Sequence, residues 1–222
     1  MRLYYFTPPD HALENIEKRH LKMSFADEVN DVFEHRPFDF GKRKYRLLWN
    51  KHIKQQAKKY GFICFAEHWD SPVMWAHYAH NHKGVCYGFE IDEELVTQIR
   101  YVEHLRHFSP AEKLDPSTVA QNLSYSLETK ASPWSYEREW RMQTKLSERD
   151  CARKASKKQT IFFEKFSTDF ALKEVIIGMN SNINSKQIKK VLLEEDKVIV
   201  RTARPSFRRY AMVEQKRPSL QK

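Results

Sequence analysis

Trp134-Ser135-Tyr136-Glu137-Arg138-Glu139-Trp140-Arg141 sets two carboxylates and two guanidiniums among large aromatic rings. Continued to Leu146, the stretch predicts a strand. Period-2 alternation then puts Tyr136, Arg138 and Trp140 on one face and Glu137, Glu139 and Arg141 on the other. Two acids sharing a face beside aromatic walls have separated proton affinities, which suits a site where one stays ionised and the other takes a proton or a hydrogen bond. The same pattern also suits an amphipathic edge strand whose Arg and Glu neighbours form ion pairs.

Outward from the octet, Asp115-Pro116-Ser117 opens a helix running to about residue 128. Residues 161–166, 174–177 and 197–202 read as strands, with a turn over 178–184 and a helix over 185–195 between the last two. Toward the N-terminus, residues 85–91 and the apolar run Gly61-Phe62-Ile63-Cys64-Phe65-Ala66 are strands. Between them Ser71-Pro72 supplies an N-cap and a proline at the first helical position, for a helix over 73–80 closed by Asn81-His82-Lys83-Gly84. Tyr45, Leu48, Trp49, Ile53 and Ala57 recur at helical spacing within 42–59 with lysines and arginines opposite, which makes a basic amphipathic helix. Residues 3–6 are a strand leading, through Thr7-Pro8-Pro9-Asp10, into a helix over 11–18 with Asp10 as its N-cap. Residues 21–25 form another strand, followed by the loop residues 26–31.

Helices and strands follow one another without a regular βαβ rhythm, so the expected fold class is α+β, a mixed and mainly antiparallel sheet with flanking helices. At 222 residues and 41% hydrophobic content the chain has material for one substantial core. We expect one domain over residues 1–212 and a basic, flexible tail over 213–222. The segment 149–158 reads as a polar, basic loop. The net charge of +10 suits nucleic acid or an acidic protein partner without specifying either. Cys64, Cys86 and Cys151 form no disulfide framework and no CxxC pair. With no apolar run long enough for a membrane span and no secretory leader, a cytoplasmic protein is expected.

His68, His77, His80 and His82 raise the question of a metal. There is no HExxH, and an i,i+3 pair such as His77 and His80 is a weak ligand pattern, so no metal is expected. Met74, Trp75 and Tyr78 form a stripe that packs on a sheet, while Trp75, His77 and Tyr78 also suit the wall of a pocket for an aromatic or nucleotide ligand. The five glycines form neither GxGxxG nor a P-loop, and no serine or cysteine stands in a nucleophile motif.

The opening Leu3-Tyr4-Tyr5-Phe6 with 11–16, the loop 24–31, Cys64-Phe65-Ala66-Glu67, Met74-Trp75-Ala76-His77-Tyr78-Ala79, residues 82–89, the octet, and Val175-Ile176-Ile177-Gly178 together resemble a bacterial family known only as domain-of-unknown-function family 2971. The resemblance runs over about residues 3–212. More loosely, the arrangement is similar to small ADP-ribosyltransferase toxins and defence enzymes, with Tyr4-Tyr5-Phe6-Thr7 as the first strand and Glu137-Arg138-Glu139 entering a late one. Strand 1 departs from their pattern in lacking its His or Arg. This likeness implies NAD as co-substrate. Glu139 would bond the nicotinamide ribose and stabilise the oxocarbenium-like transition state, Glu137 would orient or deprotonate the acceptor, and Tyr5 or Tyr78 would stack on nicotinamide. Trp75, His77 and Arg141 complete the expected binding set.

The function expected is therefore an ADP-ribosyltransferase-like effector of a toxin or phage-defence system, acting on nucleic acid or protein. One alternative is a non-enzymatic nucleic-acid or nucleotide-binding module using the basic helix 42–59 and the tail. The other is a metal-dependent nuclease using His77, His80 and Glu137 or Glu139.

Overall fold

The computed structural model describes residues 1–222 except 27–28, 30, 109–115, 149 and 154–159, and gives the backbone alone at 148, 150–153 and 160. Most of the expected basic loop 149–158, part of the loop 26–31, and Asp115 as a helix opener lie outside the described residues.

In chain order the first elements are β1 (Arg2–Thr7), α1 (Pro9–Glu17), β2 (His20–Lys22), β3 (Phe38–Asp39), α2 (Arg43–Ala57), β4 (Tyr60–Ala66), α3 (Pro72–Tyr78) and β5 (Val85–Ile91). Short strands β6 (Thr97–Gln98), β7 (Arg100–Val102) and β8 (Arg106–His107) precede α4 (Pro116–Leu127), β9 (Thr129–Ala131) and β10 (Glu139–Lys145). The chain continues through β11 (Asp150–Arg153), β12 (Thr160–Lys165), β13 (Phe170–Ile177), α5 (Ser185–Val191), β14 (Ile199–Pro205) and β15 (Met212–Glu214). Eight strands form the main sheet in the order β15-β14-β13-β5-β1-β4-β10-β6. All its pairs are antiparallel except β13 with β14, which α5 connects. The fold is α+β with a mixed, mainly antiparallel sheet, as the irregular order of elements predicts.

The centre of the sheet is apolar on both faces. From β5, Tyr87 and Phe89 point into a large core with Leu3, Phe65, Phe170, Val175 and Ile177, against Ile16 of α1, Trp49 and Ile53 of α2 and Ile188 of α5. On the opposite face Cys86 joins Phe6, Ile176 and Ala203 beneath Met74 and Trp75 of α3. Two-sided burial explains why β4 and β5 read as continuous apolar runs, and each large ring removed from water contributes about 1.5–3 kcal/mol.

Three boundaries differ from the sequence reading for local reasons. Pro8, with extended backbone, precedes α1, so Asp10 falls inside the first turn and caps nothing with its side chain, although its charge still faces the positive end of the helix. Helix α3 stops at Tyr78, and His80, Asn81 and His82 all adopt positive φ. Ser71 caps α3 as expected, its Oγ accepting from the Met74 N–H at 3.4 Å. Residues 213–222 are also not a loose tail. Met212–Glu214 pairs with β14, and the Lys222 N–H bonds Thr202 Oγ1 at 3.0 Å while its carbonyl accepts from the Ser185 N–H at 3.0 Å. No helix among the described residues is long and apolar enough to cross a membrane.

Candidate functional site

Strands β1 and β4 pair at one position, Tyr4 opposite Ala66, and then separate, whereas β4 stays paired with β10 from Ala66–Glu139 to Tyr60–Lys145. The divergence opens a cavity of about 300 Å³. Tyr4, Tyr5 and Phe6 form one wall and Ile63, Cys64 and Phe65 the other, while Tyr78, Lys130, Glu137, Glu139 and Arg141 close it with polar groups. A wider groove of about 690 Å³ adjoins it, carrying His68, Asp70, Tyr136, Arg138, Arg201 and Arg209. Tyr4 and Glu137 line both spaces.

The octet is not extended throughout. Pro133 starts a 3-10 turn over Ser132–Glu137, and Arg138 reverses the chain with φ of 44° before β10 begins at Glu139. Proline pre-sets the first position of such a turn, which breaks the period-2 pattern upstream of Glu139. Glu137, Glu139 and Arg141 nevertheless meet on one side, because the turn delivers Glu137 to the same buried amine that Glu139 faces. Lys130 Nζ lies 2.5 Å from Glu137 Oε2, 3.1 Å from Glu139 Oε2 and 3.5 Å from Glu34 Oε2. Arg141 donates from Nε to Glu139 Oε1 at 2.6 Å, from Nη1 to the Leu127 carbonyl at 2.9 Å, and from Nη2 to Glu34. The Tyr78 hydroxyl donates to Glu137 Oε1. The Glu139 N–H donates to the Tyr101 hydroxyl oxygen at 2.8 Å.

All five charged residues are at most 6% exposed. Three carboxylates against two cations leave one negative charge in excess, and the two acids of the octet divide the burden unequally. Burial raises the Glu137 carboxyl above its usual range, more than Lys130 and Tyr78 lower it. Burial also acts on Glu139, but the Arg141 guanidinium, with Lys130, overrides it and holds that carboxyl down to about 2. For Lys130, burial is outweighed by Glu139, Glu34 and Glu137, so its ammonium is held charged. Glu139 is a fixed anion, and Glu137 is the group able to exchange a proton at the cavity wall.

Tyr5 faces the cavity, its ring parallel to Tyr87 at 6.3 Å between centroids, and burial followed by Cys64 pushes its hydroxyl up to about 12. Burial and then Glu139 push the Cys64 thiol well above its ordinary value, which leaves it protonated and unsuited to nucleophilic attack.

Of the residues singled out in the sequence, Tyr5, Tyr78, Glu137, Glu139 and Arg141 come together. Trp75 does not join them. It is fully buried beneath the sheet, with Phe6 edge-on at 5.3 Å and its Nε1 donating to the Trp69 carbonyl at 2.7 Å. His77 is exposed and outside both spaces, its Nδ1 3.2 Å from the Tyr136 hydroxyl at the groove rim. His80 lies beyond the end of α3 in left-handed backbone, so the helical i,i+3 pair with His77 does not form. Among the described residues no group of three or more His, Cys, Asp and Glu side chains is arranged to hold a metal ion. Sequence reasoning missed Lys130 and Glu34, the residues that bind the octet's charges together.

The fold and site define an α+β protein with a split central sheet and a buried carboxylate–cation cluster at the split. The model of the family described as Protein of unknown function (DUF2971) matches residues 74–142. The matched segment holds Tyr78, Lys130, Glu137, Glu139 and Arg141, and supports the family resemblance read from the motifs. Neither a search of curated proteins nor one of solved structures returned a match.

Proposed function

We propose that the cavity is the reaction centre of an ADP-ribosyltransferase-like enzyme that uses NAD and transfers ADP-ribose to a nucleophile. The single observation that carries this reading is the position of Glu137, a carboxylate whose proton affinity burial raises, at the junction of an aromatic cavity and an arginine-bearing groove. A volume near 300 Å³ with tyrosine walls suits a nicotinamide riboside, and the groove with Arg138, Arg201 and Arg209 suits the pyrophosphate beyond it. The arginines are partly balanced, since Arg201 pairs with Glu174 and Glu214 and Arg209 approaches Asp70.

In the step proposed, the bond from ribose C1′ to the nicotinamide nitrogen breaks and its electron pair neutralises the pyridinium. The acceptor's lone pair forms the new bond to C1′, and the acceptor's proton passes to the Glu137 carboxylate. Ionised Glu137 stabilises the positive charge that develops on the ribose. Tyr78 and Lys130 fix its orientation, and Glu139 with Arg141 holds Lys130 in place. The roles thus differ from the family-based expectation, in which Glu139 meets the ribose.

The purified protein is expected to release nicotinamide from NAD, with Glu137→Gln lowering the rate at least about 100-fold. No nicotinamide release, no label transfer and no NAD-dependent rise in Tm would overturn the reading. One observation favours a second reading as a nucleic-acid module. Exposed Arg43, Lys44, Lys51 and Lys54 lie along α2 and Lys58 just past its end, away from buried Trp49 and Ile53, and none has an ion pair with a described residue. That reading is selected by salt-dependent nucleic-acid binding in a protein inert toward NAD.

A further inference from the structure

The turn joining β14 to β15 contains Pro205-Ser206-Phe207-Arg208-Arg209-Tyr210-Ala211. Phe207 is 91% and Tyr210 105% exposed, although every other large ring except Phe33 is at least partly buried. The turn is braced from within. The Ser206 N–H donates to the Ala211 carbonyl at 2.9 Å, the Ala211 N–H to the Arg209 carbonyl at 2.9 Å, and the Arg208 N–H to Ser206 Oγ at 3.2 Å. The rings are therefore presented by a closed turn. Cations alternate with them, the Arg204 guanidinium standing 4.8 Å from the centre of the Phe207 ring and Arg209 3.6 Å from Asp70. Arg209, Met212, Val213 and Glu214 carry the turn directly into the groove that ends at Glu137.

Two solvated rings are too small an apolar area for the core of a protein interface. Aromatic faces interleaved with guanidiniums match a different chemistry, that of unpaired bases on a phosphate backbone. We propose that this turn docks single-stranded nucleic acid, with bases stacking on Phe207 and Tyr210 and a phosphate held by the exposed Arg208. The docked strand lies against the groove and supplies the acceptor atom for the transfer at Glu137. That last role rests on the proposed transferase reaction, whereas the docking does not. Duplexes hide the base faces and are excluded from the stacking.

Fluorescence anisotropy with short mixed-sequence DNA and RNA single strands, in the absence of NAD, tests the docking. Phe207→Ala and Tyr210→Ala are each expected to weaken binding at least about fivefold, and Arg208→Ser to reduce the salt dependence by about one phosphate contact. A blunt duplex of the same sequence is expected to compete poorly. Both rings are solvated, so unchanged Tm values certify that the variants fold. No binding, equal binding of single strand and duplex, or ring variants that bind as the wild type would each overturn the proposal. Because NAD is absent, a protein that binds single strands but releases no nicotinamide overturns the transferase reading alone.

Discussion

The Tyr78 hydroxyl donates a hydrogen bond to Glu137 Oε1 across 59 residues of sequence, joining the end of α3 to the turn that precedes β10. The bond stabilises the charged form of a carboxylate that burial drives toward protonation. Tyr78→Phe is therefore expected to raise the proton affinity of Glu137 further. The acidic limb of the pH–rate profile should move to higher pH, and stability at neutral pH should fall by about 1.5–3 kcal/mol, the usual worth of a hydrogen bond to a charged group. Nicotinamide release across pH and urea denaturation check the two effects. A limb that moves to lower pH contradicts the assignment.

Lys130 is the hub of the cluster, so its loss should exceed that of either carboxylate of the octet. Lys130→Met leaves Glu34, Glu137 and Glu139 buried against Arg141 alone. A cost of about 3–5 kcal/mol is expected, as for breaking a buried pair on one side. The deficit should shrink in Lys130→Met with Glu137→Gln, because the second change removes the carboxylate that Arg141 does not reach. A double-mutant cycle by urea denaturation measures that coupling, and additive costs would refute it.

What the sequence disclosed of this site follows from the range of each signal. Glu139 and Arg141 are spaced by two on β10, so their common side was legible from backbone period alone, whereas Glu137 reaches that side through the 3-10 turn before the strand. Lys130 and Glu34 reach them through space from β9 and from a loop, and a solitary lysine or glutamate carries no mark of burial. The 3-10 turn had a readable sign in Ser132-Pro133, which the alternation of the octet outweighed. Trp75 shows the converse, since an aromatic at helical spacing suits a pocket wall and a core equally, and only the packing of Phe6 and Trp69 against it decides. The sheet class was recoverable because helices and strands follow one another without a regular βαβ rhythm, and β4 and β5 were recoverable as strands because two-sided burial writes itself as apolar runs. The divergence of β1 from β4 was not, because no local pattern encodes where two strands stop pairing.

Acid should destabilise the protein in two windows. His35 is fully buried with its Nδ1 3.3 Å from the Ser126 carbonyl, and burial, then Arg141, lowers its pKa from 6.5 to about 4. The unfolded chain binds this proton first, so the stabilisation is complete above pH 6.5 and is lost as pH falls toward 4. Glu139, held down to about 2 from 4.5, keeps its contribution above pH 4.5 and loses it as pH falls toward 2. Each loss is roughly 2–4 kcal/mol by linkage. Glu137, with its pKa raised, acts in the opposite sense, adding stability as it takes up its proton. His35→Gln should flatten the curve between pH 6.5 and 4 and leave the lower window intact, as followed by urea denaturation across pH. A curve unchanged in the upper window would show that His35 is not its source.

Gly84 and Gly41 offer a comparison in which space, rather than φ, is expected to dominate. Gly41 has φ of +55° but nothing within 4 Å of an added Cβ, so Gly41→Ala pays only for left-handed backbone, about 1–2 kcal/mol. A Cβ at Gly84 would stand 2.0 Å from the Thr7 carbonyl oxygen and 3.2 Å from that of Ala79. Both obstacles are backbone, in the end of β1 and in the turn after α3, and neither can rotate away. Gly84 also donates its N–H to Ala79 and accepts from the Gly178 N–H at 3.0 Å, so any shift is shared by β5 and the end of β13. Gly84→Ala is therefore expected to cost about 3 kcal/mol or more, at or beyond the upper end for overpacking. By displacing β1, it should also alter the cavity between β1 and β4. Urea denaturation of the two variants decides the matter, and a Gly41→Ala cost equal to or above that of Gly84→Ala would show that the contact at Thr7 does not constrain the sheet.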